Sequence, residues 1–98
     1  MKEERRTRFQ IYYDILEVLC DELKLCGDCS LTRVAHRTNM PYDRFRTCLD
    51  DLLRIGMILR DNGGKLVITG KGLEYVQEYK KINDFLGRMG LLSLQPNE

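Results

Sequence analysis

The sequence predicts a mainly α-helical domain that carries one small β-hairpin. Its central feature is the segment 31–56, where a short apolar pattern, a polar break and a longer apolar pattern follow one another. Two helices joined in this way form a helix-turn-helix. An Asn-Gly turn between two short apolar runs comes next and is typical of a hairpin. We therefore expect a winged helix-turn-helix, a three-helix core plus a wing, with a long C-terminal helix.

The composition fits one globular domain. The chain has 98 residues, of which 43% are hydrophobic and 32% are charged, which suits one modest core and not a disordered or membrane chain. No apolar run approaches the roughly 18 residues of a membrane helix, and the first residues lead into no signal-peptide pattern. We expect a cytoplasmic protein with a winged-helix domain at 1–70 and a C-terminal helix with a short tail at 71–98.

Charge is distributed unevenly, although the net charge is only +1. Residues 30–60 carry six arginines and three aspartates, a net +3, whereas residues 9–29 carry one basic and five acidic side chains, a net −4. A focused basic patch attracts phosphates even when the total charge is near zero. Charge alone does not distinguish such a patch from an ordinary solvated face.

The first helix is predicted at residues 8–24. Apolar residues recur at helical spacing and form a core-facing stripe: Ile11, Ile15, Leu16, Leu19 and Leu23. Phe9, with Tyr12 or Tyr13, is expected to widen it. Arg5, Arg6 and Arg8 precede the stripe and form either an arm that contacts a nucleic-acid backbone or a frayed charged terminus, and the terminus is favoured.

Cys26 and Cys29 form a C-x-x-C pair in the loop that follows. Such a pair is half of a zinc site or a redox pair, and zinc requires four ligands, for which Cys20, His36 and Cys48 are the remaining candidates. A disulfide is the second alternative, although it is unusual in the cytosol. We favour four reduced thiols, some acting as small apolar groups, and assign no metal and no cofactor.

Ser30 can cap the short helix predicted at about 31–37, and Met40 can fill the core between the two helices. Pro41 suits the first position of the next helix, because its missing N–H would be unbonded there. This recognition helix is predicted at about 41–55 and ends at Gly56. Its apolar face has spacings of three, four, three and one: Tyr42, Phe45, Leu49, Leu52 and Leu53.

The hairpin comprises two short apolar runs between residues 57 and 68. Asn62-Gly63 lies at its turn and is expected to supply the positive φ that a tight turn requires. Directly after a helix-turn-helix, such a hairpin is a wing, whose tip can follow the adjacent groove or backbone. The alternative is an ordinary hairpin that closes the core, and the two roles are compatible.

The last helix is expected to begin at Thr69, with Leu73 and Val76 facing the core. A second stripe has the four-three alternation of a heptad seam and includes Tyr75, Tyr79, Ile82, Phe85, Leu86 and Met89. We expect this seam to form a homodimer interface. The alternative is that the helix folds back over the first one. Gly87 and Gly90 are expected to fray or end it.

In this order, the segments resemble small archaeal winged-helix proteins, which include ten-kilodalton-class chromatin proteins that dimerise through a C-terminal antiparallel coiled coil. The resemblance spans about residues 9–89. It rests on three motifs: Asn39-Met40-Pro41-Tyr42, Leu52-Leu53-Arg54-Ile55-Gly56-Met57-Ile58, and Thr69-Gly70-Lys71-Gly72 followed by Leu73-Glu74-Tyr75. It implies a dimeric, nucleoid-associated protein that binds duplex DNA. The C-x-x-C loop and the two glycines near the end of the last helix depart from the family's pattern.

In a helix-turn-helix, the first half of the second helix enters the major groove. Arginines would neutralise phosphates, and Arg46 and Thr47 would reach base edges. The predicted DNA-binding set is Arg33, Arg37, Tyr42, Arg44, Arg46, Thr47, Arg60, Asn62 and Lys65.

Two other function classes remain open. A winged helix can serve as a protein-interaction adaptor, which the acidic residues Asp43, Asp50 and Asp51 favour. A thiol- or metal-responsive regulator would use the C-x-x-C loop. An enzyme is not expected, because no known catalytic motif is present. The sequence names no effector ligand.

Overall fold

The computed structural model describes residues 6–26 and 30–91. In chain order the elements are α1 (Arg8–Cys26), α2 (Leu31–Arg37), α3 (Tyr42–Arg54), β1 (Ile58–Arg60), β2 (Leu66–Ile68) and α4 (Gly70–Arg88). The two strands pair antiparallel, with Leu59 opposite Val67. This order confirms the predicted fold class, a mainly helical winged helix-turn-helix with a long last helix.

One core lies between α1, α2, α3 and the hairpin. Its fully buried side chains come from all four elements: Ile15, Leu16, Leu19, Val34, Phe45, Leu49, Leu52 and Ile58. The predicted stripe of α1 is therefore confirmed for Ile11, Ile15, Leu16 and Leu19, and both Tyr12 and Tyr13 widen it, whereas Leu23 is only partly buried and lies outside the core. The expectation for Phe9 is wrong, because its side chain is 66% exposed. Helix α4 reaches only the backbone of Phe9, whose carbonyl accepts a hydrogen bond from the Tyr75 hydroxyl at 2.6 Å.

The turn between α2 and α3 depends on a left-handed residue. Asn39 has a φ of 64°, a conformation that Asn tolerates better than most residues. It lets the Met40 N–H bond the Ala35 carbonyl at 3.1 Å, which satisfies a carbonyl at the end of α2. Met40 is 7% exposed, so it does fill the core between the two helices.

Helix α3 ends at Gly56 as expected, with a φ of 86°. The hairpin turn differs from the prediction, because the positive φ of 87° falls on Gly64 and not on Asn62-Gly63. The Asp61 side chain accepts hydrogen bonds from the N–H groups of Gly63 at 2.9 Å and Lys65 at 3.0 Å. These bonds favour a longer loop, in which the left-handed residue follows the turn.

Helix α4 is joined to the end of α3 through its first turn. The Thr69 hydroxyl donates to the Gly56 carbonyl at 2.6 Å and accepts from the Gly72 N–H at 3.1 Å. Two expectations for α4 are wrong. Leu73 is 45% exposed, because it lies one residue beyond the inward-facing Gly72. Gly87 does not end the helix, which continues to Arg88, whereas the expectation for Gly90 is confirmed, because Gly90 follows the C-cap Met89 with a φ of 78°.

Beyond its first turn, α4 packs on α1 through tyrosines. The rings of Tyr13 and Tyr79 stack with their centroids 4.8 Å apart. Burial is the largest cause that raises the pKa of Tyr75 to about 12. The part of α4 that follows Tyr79 extends past this contact and exposes large apolar side chains.

Candidate nucleic-acid interface

The outermost ridge of α3 contains more acidic than basic side chains. Its residues are spaced four, three and four apart and are all exposed: Asp43, Thr47, Asp50 and Arg54. The Thr47 hydroxyl donates to the Asp43 carbonyl at 3.2 Å, and Arg54 forms an ion pair with Asp51. The middle of the exposed face is therefore not a basic surface.

Arg46 lies on one flank of this ridge, beside Tyr42. The Tyr42 hydroxyl, and more weakly the Asp50 carboxylate, raise the pKa of Arg46. Its Nε atom is buried and has no hydrogen-bond partner among the described residues. Tyr42 is itself 43% exposed, so an arginine and an aromatic ring border the ridge on this side.

Arg44 lies on the opposite flank, which faces the start of α1. It is exposed, and it forms no ion pair within the described part of the chain. The sequence spacing of Arg44 and Arg46 places them about 160° apart around the helix, because successive residues differ by about 100°. The two arginines are thus separated by the width of the exposed face.

The arginines of α2 are paired with α1. Arg33 Nε donates to Glu22 Oε1 at 2.8 Å, and Arg37 Nη1 donates to Glu22 Oε2 at 2.8 Å. Arg37 also bonds Asp21 at 2.9 Å. Glu22 is only 4% exposed, and the hydrogen bonds from Arg33 and then Arg37 lower its pKa. The positive charge of α2 is therefore largely compensated by the acidic end of α1.

The hairpin tip presents exposed polar side chains on the far side of α3. Arg60 Nη1 donates to the Gly64 carbonyl at 3.1 Å, which holds the arginine along the turn. Asn62 and Lys65 are exposed beside it.

Comparisons with known proteins agree with this arrangement. The family model described as winged helix-turn-helix matches residues 5–86. The chain belongs to the winged helix-turn-helix family. Its structure is similar to the crystal structure of Sso10a-2, a DNA-binding protein from Sulfolobus solfataricus, with a TM-score of 0.57 and 26% sequence identity over 95% of this chain and 100% of that one. No curated protein matches the chain by sequence.

This membership assigns names to the elements of the winged-helix domain. Helix α3 occupies the position of the recognition helix in this fold, and the hairpin β1–β2 is the wing. None of the helices in the described part of the chain has the length and apolar character that a membrane span requires.

The winged helix contains two half-buried thiols among its described residues, Cys20 and Cys48. Burial is the main cause that raises the pKa of both. The thiols of Cys26 and Cys29 lie outside the described residues. Within residues 6–26 and 30–91, no group of three or more His, Cys, Asp or Glu side chains is placed to hold a metal ion.

The predicted seam of α4 is divided between two environments. Tyr75 and Tyr79 contact α1 within the chain. Ile82, Phe85 and Met89 are 58%, 48% and 55% exposed. Leu86 is partly buried.

Sequence reasoning missed the role of Glu22. Its position three residues after Leu19 continues the apolar stripe of α1, so a buried acid could have been recognised. Its partners could not, because Arg33 and Arg37 are eleven and fifteen residues away in the chain.

Proposed function

We propose that this winged-helix protein binds duplex DNA, with α3 in the major groove and the wing on the adjacent backbone. The observation that carries the proposal is the placement of Arg44 and Arg46 on opposite flanks of the recognition helix. A helix that lies in the major groove has a phosphate backbone on each side, so one arginine can approach each strand. The description of the similar Sso10a-2 as a DNA-binding protein supports the proposal.

The acidic ridge between the arginines bears on selectivity. Asp43 and Asp50 would be repelled by phosphates, so they suit a position above base edges, where a carboxylate accepts from cytosine N4. Thr47 completes this central contact, Tyr42 and Arg46 flank it, and Arg60, Asn62 and Lys65 extend it along the wing. We leave Arg33 and Arg37 out of the phosphate contacts, since Glu22 and Asp21 already bind them.

We also propose a homodimer in which the exposed part of α4 meets its copy in a second chain. Ile82, Phe85 and Met89 would then be covered. If both recognition helices lie on one face of the dimer, two half-sites about 34 Å apart would be bound together.

The first test measures binding to random duplex DNA across a salt series, with thiols kept reduced. The slope of log affinity against log salt counts the phosphates that are neutralised. Arg44→Ala and Arg46→Ala should each lower the slope by about one. Lys80→Ala is the matched control, because it removes an exposed cation from α4. Unchanged affinity in both arginine variants would show that α3 is not the recognition helix.

The same measurement addresses the second candidate function, a protein-interaction adaptor. The acidic ridge of α3 is the observation that favours it. If the wild-type protein failed to bind DNA at low salt, the adaptor function would be favoured over DNA binding. Where DNA is bound, selection from a random duplex pool separates a sequence-selective regulator, which enriches one motif, from a general chromatin protein, which enriches none.

A further inference from the structure

A groove of about 410 Å³ lies between the start of α1 and the Arg44 flank of α3. Its polar lining comes from both elements: Arg6, Arg8, Arg44, Thr47, Cys48 and Asp51. Three of these six side chains are arginines, although residues 1–8 and the recognition helix are far apart in the sequence. The groove opens on the side of α3 where we have proposed that one DNA strand passes.

Two of the charged groups in this groove are already compensated. Arg6 donates to Asp14 at 2.7 Å and to the Thr38 carbonyl at 2.9 Å. Asp51 accepts from the Tyr12 hydroxyl at 2.9 Å and pairs with Arg54. The hydrogen bonds from Tyr12 and then Arg54 lower the pKa of Asp51, so it is a carboxylate at neutral pH whose charge Arg54 balances.

Arg8 and Arg44 are the positive charges that remain. Both are exposed, and neither forms an ion pair within the described residues. Arg8 is held at the start of α1, because Thr7 caps this helix: the Thr7 hydroxyl accepts from the Gln10 N–H at 3.1 Å and the Thr7 carbonyl from the Ile11 N–H at 3.0 Å. Arg8 is the first residue of α1, so its side chain is held beside α3.

We propose that Arg8 and Arg44 bind neighbouring backbone phosphates of one strand of duplex DNA in this groove. The inference rests on the proposed DNA binding and extends its surface beyond the helix-turn-helix and the wing to the start of α1. Thr47 lies on the same wall of the groove, and its hydroxyl donates to the Asp43 carbonyl. The third arginine, Arg6, adds positive potential while it stays bonded to Asp14.

The sequence analysis assigned phosphate contacts to the arginines of α2, whereas this site lies at the start of α1. The pairing of Arg33 and Arg37 with Glu22 leaves α2 with little net charge to offer a phosphate. The start of α1 has a different balance, since Arg8 forms no ion pair among the described residues, although the Asp51 carboxylate interacts with it electrostatically. We therefore place the contact with the DNA backbone beside the recognition helix on α1 and not on α2.

The test compares Arg8→Gln with Lys24→Gln in the salt series on random duplex DNA, using full-length protein. Both substitutions remove one exposed cation from α1, at positions about 24 Å apart along the helix. Arg8→Gln should lower the slope by about one, so that the affinity advantage of the wild type shrinks roughly eightfold for a tenfold rise in salt. Lys24→Gln should leave the slope unchanged. Melting temperatures equal to that of the wild type in both variants confirm that the fold is intact.

Failure of this inference can be distinguished from failure of the proposed function. If the wild type binds and Arg46→Ala weakens binding, but Arg8→Gln behaves like Lys24→Gln, the groove holds no phosphate and the inference is overturned. If Arg46→Ala and Arg44→Ala both bind like the wild type, the recognition helix itself is wrongly assigned. Loss of slope in Arg8→Gln and Arg44→Gln, with Lys24→Gln unaffected, supports the site.

Discussion

At the scale of single residues, Gly72 determines how closely the last helix approaches the wing. A Cβ at this position would lie 2.3 Å from the Met57 carbonyl oxygen and 2.9 Å from Ile68 Cγ2. The oxygen belongs to the backbone and cannot rotate away. Together with Thr69, whose hydroxyl bonds the Gly56 and Met57 carbonyls, this glycine explains physically why the Thr-Gly-Lys-Gly motif starts α4.

Gly72→Ala should therefore lower the free energy of unfolding by about 1–3 kcal/mol, the range for a side chain forced into a packed site. The measurement is thermal or urea unfolding followed by circular dichroism. Gly70→Ala is the control, because a Cβ there would meet nothing within 4 Å. A Gly72→Ala protein as stable as the control would mean that α4 does not pack this closely on the wing.

At the scale of elements, α2 is held to α1 by one buried acid. Glu22 accepts a hydrogen bond from Arg33 on one oxygen and from Arg37 on the other. Such a pair costs desolvation, and its loss leaves a charge without a partner. The arrangement orients the first helix of the helix-turn-helix, since α2 has only seven residues and few apolar contacts of its own.

The lowered pKa of Glu22 has a consequence for acid stability. A carboxyl group that is more acidic in the folded state stabilises the fold above its unfolded pKa of about 4.5, and this stabilisation is lost as the pH falls through the folded value. The wild type should thus lose stability below about pH 4.5. Glu22→Gln should be less stable at pH 7 and lose less between pH 7 and pH 3.

Melting temperatures at the two pH values measure this difference. Glu74→Gln removes an exposed acid of α4 and is the control. It should lose as much stability as the wild type between pH 7 and pH 3. Part of the loss should persist in Glu22→Gln, because the pKa of Asp51 is also lowered. If Glu22→Gln lost as much stability as the wild type between pH 7 and pH 3, other carboxyl groups would be responsible for the acid sensitivity.

At the scale of the whole molecule, α4 has more length than the core of one chain covers. Its 19 residues span about 28 Å, and its ring stacking and hydrogen bonds with α1 come from Tyr75 and Tyr79. Ile82, Phe85 and Met89 follow at spacings of three and four and are about half exposed or more. Arg88 lies over the Phe85 ring, 5.9 Å from its centroid. An apolar stripe of this kind suits contact with a second chain.

Phe85→Glu should weaken the proposed homodimer by at least about a hundredfold, since two rings would be lost from one symmetric interface and each is worth about 1.5–3 kcal/mol when buried. Sedimentation equilibrium at micromolar protein concentration measures this. Lys80→Glu places an acid at an exposed position outside the stripe and should remain dimeric. If the wild type sedimented as a monomer at every concentration measured, the proposed homodimer would be wrong.

What the sequence by itself determined is local. Apolar spacing predicted every helix, Gly56 and Thr69 marked a helix end and a helix start, and Met40 was correctly placed in the core. These features depend on residues within about one or two turns of each other, where helical periodicity and capping act. The family resemblance, drawn from the order of three motifs, was confirmed by the match over residues 5–86.

Only the tertiary structure decided which charges are available. By composition, the six arginines of residues 30–60 were equivalent, yet helix packing pairs Arg33 and Arg37 with Glu22 and leaves Arg44 without a partner among the described residues. It also brings Arg8 beside Arg44, thirty-six positions further along the chain. The availability of a charge depends on which helices cross, and crossing joins residues whose separation in the sequence no local pattern encodes.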